Sequence, residues 1–261
     1  MDDLSGIVDD LRKKYCGLSG EVCYNERRQW ALREYCRKEN RMNQVNYQKE
    51  LEKILNTLQE KGEAASDYRP PRLFLHSCCA PCSSYCLEYL CRYFLITVFY
   101  YNPNISFSEE YQKRVAEQKR LIAAYNKEEK GWPIDIVEGD YEPERFYEMS
   151  KGYENCPEGG ERCFRCFDLR LRKTAELAQA GGYDYFATTL TISPLKNAAK
   201  INEIGQAISG EYGISWLPSD FKKKNGYKRS IELSAEYELY RQNYCGCAFS
   251  KAEREAQIAN A

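Results

Sequence analysis

The first cysteine motif, HSCCAPCSSYC at residues 76–86, concentrates thiols at one point of the 261-residue chain. Cys78, Cys79 and Cys82 lie within five consecutive residues. Three thiolates so close together converge only on an acceptor with several thiolate positions, such as a zinc ion or an iron-sulfur cluster. Adjacent Cys78 and Cys79 are uncommon in tetrahedral zinc sites but suit a cluster, whose corners are spread apart. His76, the only histidine, is either a proton donor beside this motif or an ordinary hydrogen-bonded residue.

A second motif, the CxxC pair of Cys163 and Cys166, stands at the predicted start of a helix, where the helix dipole favours thiolate. By itself such a pair fits a redox dithiol, half of a zinc site or coincidence. Together with the first motif it offers a shell of four thiolates. A cluster is the favoured occupant of that shell, and structural zinc is the alternative.

The third motif, Cys245-Gly-Cys247, is a CxC pair placed directly after a predicted helix. Such a pair closes a small, strained disulfide, and strained exposed disulfides are the labile and catalytic ones. Two further metal ligands or two buried thiols are the alternatives. We expect a redox pair that stores two electrons by cycling between dithiol and disulfide.

The elements that must position these motifs follow Pro70 and Pro71, where short apolar runs alternate with amphipathic segments. This pattern indicates a parallel sheet covered on both faces by helices. Strands are predicted at residues 73–76, 95–101, 134–137, 183–189 and 214–217. Helices are predicted at residues 109–126, 162–180, 196–212 and 232–242. Since ligands of such sheets bind at the carboxyl ends of the strands, we expect the chemistry in the loops there.

The first part of the chain, residues 1–69, predicts a polar, helical N-terminal extension. Its apolar residues at helix spacing are Val45, Leu51, Ile54, Leu55 and Leu58. The chain is therefore predicted to consist of this extension and of a catalytic α/β domain, residues 70–261.

Charge gives little global attraction to nucleic acid, because the formal net charge is -1. A local patch exists within residues 221–230, which contain no acid. Its basic residues are Lys222, Lys223, Lys224, Lys228 and Arg229. This run predicts contacts to RNA phosphates, with Tyr227 as a surface for base stacking, against the ordinary alternative of a solvated loop.

No apolar run approaches the ~20 residues that a membrane helix needs, and the start of the chain lacks the order of a signal peptide. We therefore expect a cytoplasmic protein with no membrane partner. In that compartment thiol buffers keep most of the 13 cysteines reduced. This favours metal binding or redox chemistry over structural disulfides.

Six runs of the chain resemble, in consistent order over residues 73–250, the epoxyqueuosine reductases of the QueH type. These runs are LFLHSCCAPCSSY, YYNPNI, RCFRCFDLRLRKTAELA, FATTLTISPLKN, DFKKKNGYKRSIELS and LYRQNYCGCAFS. The resemblance implies a Rossmann-like, HUP-type fold. It also implies an oxidoreductase that removes the epoxide oxygen of epoxyqueuosine at the wobble position of tRNA, giving queuosine in the last step of its biosynthesis.

The resemblance further implies a 4Fe-4S cluster, with Cys78, Cys79, Cys163 and Cys166 as its ligands. Cys245 and Cys247 match the redox-active pair of the family. A second metal near the cluster, an iron ion, is also implied, with Cys82 and Asp220 as its candidate ligands. The partners would be the anticodon loop of tRNA and an unidentified electron donor.

A zinc-containing RNA-binding module without redox activity is the alternative function. It accounts for the CxxC pair and for the basic run, but it does not explain adjacent Cys78 and Cys79 or the CxC pair. A sulfur-transfer enzyme would need ATP, and the chain lacks the SGGxDS loop of ATP-using relatives of this fold. We therefore expect no use of ATP.

Overall fold

A five-stranded, entirely parallel sheet forms the centre of the structure, a computed structural model that describes residues 45–64 and 67–259. The strands are β1 (Arg72–His76), β2 (Leu95–Tyr100), β3 (Asp135–Glu138), β4 (Tyr185–Thr188) and β5 (Ser215–Trp216). Their order across the sheet is β3-β2-β1-β4-β5, the order of doubly wound folds. All five predicted strands are confirmed, each within two residues of its predicted bounds, and so is the α/β class.

The central strand β1 is apolar on both faces because helices cover both sides of the sheet. Leu73 and Leu75 point into one apolar cluster, whereas Phe74 points into the other. Leu75 pairs with Val98 of β2 and with Ala187 of β4. Because β1 is buried on both faces, its carboxyl end is held in a fixed position, and so is the start of the segment that follows it.

Eight helices flank the sheet in the described part of the chain. They are α1 (Tyr47–Ala64), α2 (Ala80–Leu90), α3 (Ser108–Lys127), α4 (Pro143–Ser150), α5 (Glu161–Ala180), α6 (Ala198–Tyr212), α7 (Gly226–Glu236) and α8 (Ala248–Ala259). A 3-10 turn, Thr189–Ile192, follows β4. None of these helices is long and apolar enough to cross a membrane.

Helix α1 lies within the predicted N-terminal extension, and its apolar stripe is part of the core. Leu51, Leu55 and Leu58 are buried in the cluster on one face of the sheet. Residues 1–44 of the predicted extension lie outside the described residues. The division of the chain at residue 69 therefore stays a prediction.

The predicted helix at residues 232–242 is misplaced, because α7 covers Gly226–Glu236. Glu238 adopts a left-handed conformation with a φ of 49°, and the Leu239 amide donates to the Ser234 carbonyl at 2.8 Å. This arrangement is a Schellman cap, which ends the helix at a residue other than glycine. The CxC pair thus follows an irregular stretch instead of a helix.

Candidate metal and redox site

The thiols of the first motif lie at the carboxyl end of β1. In this strand order the path of the chain reverses between β1 and β4, and ligands of doubly wound sheets bind in the crevice there. Cys79 is the N-cap of α2 and Cys82 lies in its first turn. The Sγ atoms of Cys78, Cys79 and Cys82 all lie within 4.8 Å of one another. Among the residues that the structure describes, no other group of three potential metal ligands is this close.

Contacts to the 3-10 turn that follows β4 and to α2 hold this three-thiol group in place. The Cys78 amide donates to Thr189 Oγ1 at 3.5 Å, and the Cys78 Sγ lies 3.7 Å from the same oxygen. The Ser83 hydroxyl donates to the Cys79 carbonyl at 2.9 Å. The position of the thiols is therefore set by the sheet and by a helix terminus, not by a free loop.

Mutual hydrogen bonds separate the pKa values of the three thiols. Hydrogen bonds from Cys79 and Cys82 hold the pKa of Cys78 well below its usual value. The same contacts, together with burial, raise the pKa of Cys79 to about 12 and the pKa of Cys82 well above its usual value. A second thiolate therefore requires a nearby cation, and a soft metal ion held by several thiolates meets that requirement.

Cys163 and Cys166 lie at the start of α5, as the sequence predicts. The Gly159 amide donates to the Cys163 Sγ at 3.3 Å. Burial nevertheless raises the pKa of Cys163, and it raises the pKa of Cys166 to about 11. The effect of burial on the pKa of these thiols thus outweighs the predicted effect of the helix dipole. Here too, a thiolate forms only beside a cation.

The CGC loop, residues 245–247, is held through its backbone. Arg114 donates from Nη1 to the Cys245 carbonyl at 3.0 Å, and the Cys245 amide donates to Ser250 Oγ at 3.0 Å. Gly246 has a φ of 124°, and an added Cβ would lie 2.9 Å from a neighbouring side-chain carbon. Only glycine suits this position, so the tight spacing of the two cysteines depends on it.

A small cavity, partly open to solvent, joins the second and third motifs. Its lining includes Cys163, Cys166, Cys245, Cys247, Arg162 and Arg170. Burial raises the pKa of Cys247 in this wall to about 12. The cavity therefore brings the CxxC pair and the CGC loop to one place.

The first motif adjoins this region, because Cys163 packs against the apolar cluster that contains Cys78 and Cys79. The thiol that lies within 4.8 Å of both Cys78 and Cys79 is that of Cys82. The shell of four ligands predicted from the resemblance, with Cys163 and Cys166, therefore stays a prediction.

His76 uses both of its ring nitrogens inside the protein. The ring is buried, with Nε2 3.1 Å from the Tyr101 carbonyl oxygen and Nδ1 2.8 Å from Thr188 Oγ1. Because a carbonyl oxygen only accepts, Nε2 carries the proton and Nδ1 accepts from the Thr188 hydroxyl. Burial and the charge of Arg170 lower the pKa of His76 to about 3. This geometry favours the ordinary hydrogen-bonded residue over the proton donor.

Asp220, predicted with Cys82 to hold a second metal, lies in the segment between β5 and α7. Its carboxylate forms an ion pair with Lys222 at 2.8 Å. The atom that Lys222 contacts is Oδ1, which is buried and forms no well-aligned hydrogen bond within the described residues. No hydrogen bond or ion pair between described residues joins Asp220 to Cys82, so their shared role stays a prediction.

The predicted RNA-binding run spans the turn before α7 and the first turn of that helix. Most of its cations contact carboxylates, in the pairs Lys222–Asp220, Lys224–Glu52, Lys228–Glu232 and Arg229–Glu88. Lys223 is exposed and forms no ion pair within residues 45–64 and 67–259. Exposed ion pairs contribute at most about 1 kcal/mol, so a phosphate can replace such a carboxylate. The RNA-binding role stays a prediction.

Arg170 and Asn102 belong to the site although no metal-binding pattern singles them out. Arg170 donates from Nη1 to Asn102 Oδ1 at 3.3 Å, and Asn102 donates to the carbonyl of Ser77 at 2.8 Å. Ser77 directly precedes the first thiol of the three-thiol group. Both residues stand in runs of the resemblance, RCFRCFDLRLRKTAELA and YYNPNI. Their positions within these runs were the available sequence signal for Arg170 and Asn102. Their spacing from the cysteines does not indicate a role in the site.

Comparison with known proteins gives consistent matches. A family model described as "Epoxyqueuosine reductase QueH" matches residues 73–253, which include all three cysteine motifs. A relative of that name from Staphylococcus epidermidis is 44% identical over 208 residues, covering 79% of this chain and 84% of the relative. One from Streptococcus pyogenes is 40% identical over 219 residues, covering 84% and 83%. One from Thermotoga maritima is 36% identical over 193 residues, covering 72% and 94%.

Proposed function

The chain belongs to the QueH family of epoxyqueuosine reductases, and from this membership and its cysteine site we propose its reaction. It removes the epoxide oxygen of epoxyqueuosine at the wobble position of tRNA by two-electron reduction, giving queuosine. The observation that carries this proposal is the three-thiol group, with Sγ atoms within 4.8 Å in the crevice where doubly wound sheets bind ligands. The matched relatives are named reductases, which favours this reaction over a zinc-containing RNA-binding module.

A 4Fe-4S cluster is the cofactor that suits the donor set. The residues that would hold it are Cys78, Cys79, Cys163 and Cys166. The pKa values of the last three are raised, so these thiols would ionise only when a cation binds among them. Cys82 and the Oδ1 atom of Asp220 would hold an adjacent iron ion. When bound, these groups supply electrons one at a time and a Lewis acid for the epoxide oxygen.

Cys245 and Cys247 would supply the electrons and protons that the overall reaction consumes. Converting an epoxide to an alkene breaks both C–O bonds, consumes two electrons and two protons, and releases water. Oxidation of the two thiols to one disulfide provides both electrons and both protons. A separate electron donor must then return the disulfide to the dithiol.

The tRNA would be held by the basic run before and within α7. Lys223 supports this role because it is exposed and lacks an ion pair among described residues. Tyr227, partly exposed in the same run, offers a ring for stacking on an unpaired base. The target nucleoside lies in a single-stranded loop, where proteins read RNA by such stacking.

The test is a metal and sulfide analysis of anaerobically purified protein, followed by an assay on tRNA that contains epoxyqueuosine. We expect about four sulfide and about five iron per chain, four from the cluster and one from the adjacent ion, an EPR signal after dithionite reduction, and formation of queuosine. Zinc without sulfide, persisting after iron-sulfur reconstitution, would overturn the cluster and support the RNA-binding module.

A further inference from the structure

Three arginines of the described residues are buried, and they differ in how their charge is balanced. Arg114, Arg162 and Arg170 are exposed by 2%, 2% and 1%. Arg114 forms an ion pair with Glu110 at 2.7 Å, and Arg162 forms one with Glu253 at 3.3 Å. Arg170 forms no ion pair with any residue of the described ranges. A buried, unpaired charge is strongly unfavourable, so Arg170 needs a counter-charge from another source.

The protein partners of Arg170 are neutral. Its Nε donates to the Cys166 carbonyl at 3.1 Å, and its Nη1 donates to Asn102 Oδ1 at 3.3 Å. Its Nη2 is buried and has no hydrogen-bond partner among the described residues. A guanidinium stays protonated at neutral pH, so deprotonation does not remove the unfavourable buried charge. Its Nη2 therefore remains available to a group other than a side chain of the described residues.

The position of Arg170 identifies the chemistry of that group. Arg170 lines the cavity that contains the CxxC pair and the CGC loop. Through Asn102 it is linked to Ser77, next to the three-thiol group. The surroundings of the guanidinium are thus the sulfurs that would carry a thiolate-bound, anionic group.

We propose that Arg170 is the counter-ion of the cluster and raises its reduction potential. The inference rests on the proposed function, since it needs a redox-active group in this place. A cluster held by thiolates is already anionic, and one-electron reduction by an external one-electron donor adds a further negative charge. A fixed cation therefore stabilises the reduced form more than the oxidised form. Arg170 itself forms no covalent bond and stays protonated throughout.

The test compares Arg170→Gln and Arg170→Lys in the full chain, after iron-sulfur reconstitution. The control is Arg172→Gln, which removes the same charge from the same helix. Arg172 is 39% exposed and paired with Asp168 and Glu211. The readouts are iron and sulfide per chain and an EPR-monitored reductive titration with dithionite.

We expect Arg170→Gln to weaken one-electron reduction at least tenfold, a shift of about 59 mV. Arg170→Lys and Arg172→Gln should stay within about threefold of the unsubstituted protein, since one keeps the charge and the other removes an exposed charge. Full iron content with an unchanged potential in Arg170→Gln would overturn the inference. Absence of iron and sulfide from the unsubstituted protein would instead defeat the proposed function, and this is measured first.

A second measurement covers the case in which Arg170→Gln loses its iron. In iron-free protein the unpaired charge of Arg170 destabilises the fold. Iron-free Arg170→Gln should therefore unfold at the same temperature as the unsubstituted iron-free protein, or at a higher one. A clearly lower unfolding temperature would show that Arg170 serves packing alone, and it would overturn the inference.

Discussion

The three-thiol group and the CGC loop present cysteines by different structural means. The three-thiol group follows the central strand β1 and continues into the first turn of α2, so sheet and helix hydrogen bonds set its geometry. The CGC loop lies on irregular chain between α7 and α8 and is held by side chains from elsewhere, including Arg114 and Ser250. Rigid elements suit ligands that must keep fixed positions. A loop suits a pair that must form and open a disulfide.

Replacement of one cysteine from each region tests directly whether the two regions have different roles. We expect Cys78→Ser to lower iron content at least tenfold, since even outer-shell changes at metal sites cost 10–100-fold in affinity. Cys245→Ser should keep its iron and lose turnover. Iron and sulfide analysis, together with the tRNA assay, measures both effects.

Cys91→Ser is the matched control for these variants. Cys91 is buried at the C-cap of α2, and no cysteine motif includes it. It should keep both iron and turnover. Iron loss in Cys245→Ser would make Cys245 a ligand and would remove the distinction between the two regions.

The second prediction concerns the backbone of the CGC loop. Gly246→Ala places a Cβ 2.9 Å from Ile105 Cγ1 at a φ of 124°. We expect a loss of stability of about 1–3 kcal/mol, because L residues are strained in this conformation. Turnover should fall at least tenfold while iron content stays unchanged. Urea unfolding, iron analysis and the tRNA assay check these outcomes.

The control for this variant is Gly210→Ala in the last turn of α6, where an added Cβ meets nothing within 4 Å. Alanine should stabilise the protein there by about 0.5–1 kcal/mol, because glycine is a poor helix residue. Full turnover in Gly246→Ala would show that the loop tolerates a different backbone, and the contrast with the rigid three-thiol group would lose its basis.

The smallest expected effect concerns Glu117, which anchors the chain that leads into the CGC loop. Glu117 accepts from the Tyr240 amide at 2.7 Å and forms an ion pair with Arg120 at 2.8 Å. The Arg120 hydrogen bond, and then that from Tyr240, lower the pKa of Glu117. The pKa of Glu117 is lower in the folded protein than in the unfolded protein. The carboxylate therefore stabilises the fold at pH values above the unfolded-state pKa, and this stabilisation is lost as the pH falls through the folded-state pKa.

Urea unfolding of Glu117→Gln over a pH series measures this contribution. The variant should be less stable than the unsubstituted protein by at most about 1 kcal/mol above ~pH 5, since Arg120 is half exposed. The difference should shrink as pH falls below ~4, where the carboxylate becomes protonated. If the stability of Glu117→Gln differed from that of the unsubstituted protein by the same amount at every pH, the charge of Glu117 would contribute nothing to the stability.

Much of the fold could be predicted from local patterns. The buried strands are short apolar runs, and the helices α3, α5 and α6 have the predicted amphipathic pattern. The bounds of α7 could not be predicted, because its end depends on a left-handed Glu238, a conformation rare for this residue type. The closeness of Cys82 to Cys78 and Cys79 also depends on where α2 begins, directly after Cys79.

Local sequence patterns were enough to predict the α/β class and the position of the first motif after β1, and they favoured metal or redox chemistry. These follow from periodicity and spacing, which are local properties of the chain. Only the tertiary structure decided that both ring nitrogens of His76 are used, that Arg229 pairs with Glu88, and that Arg170 is buried without a carboxylate partner among the described residues. Such contacts join segments far apart in the chain, so they depend on sheet register and helix packing, which local patterns do not encode.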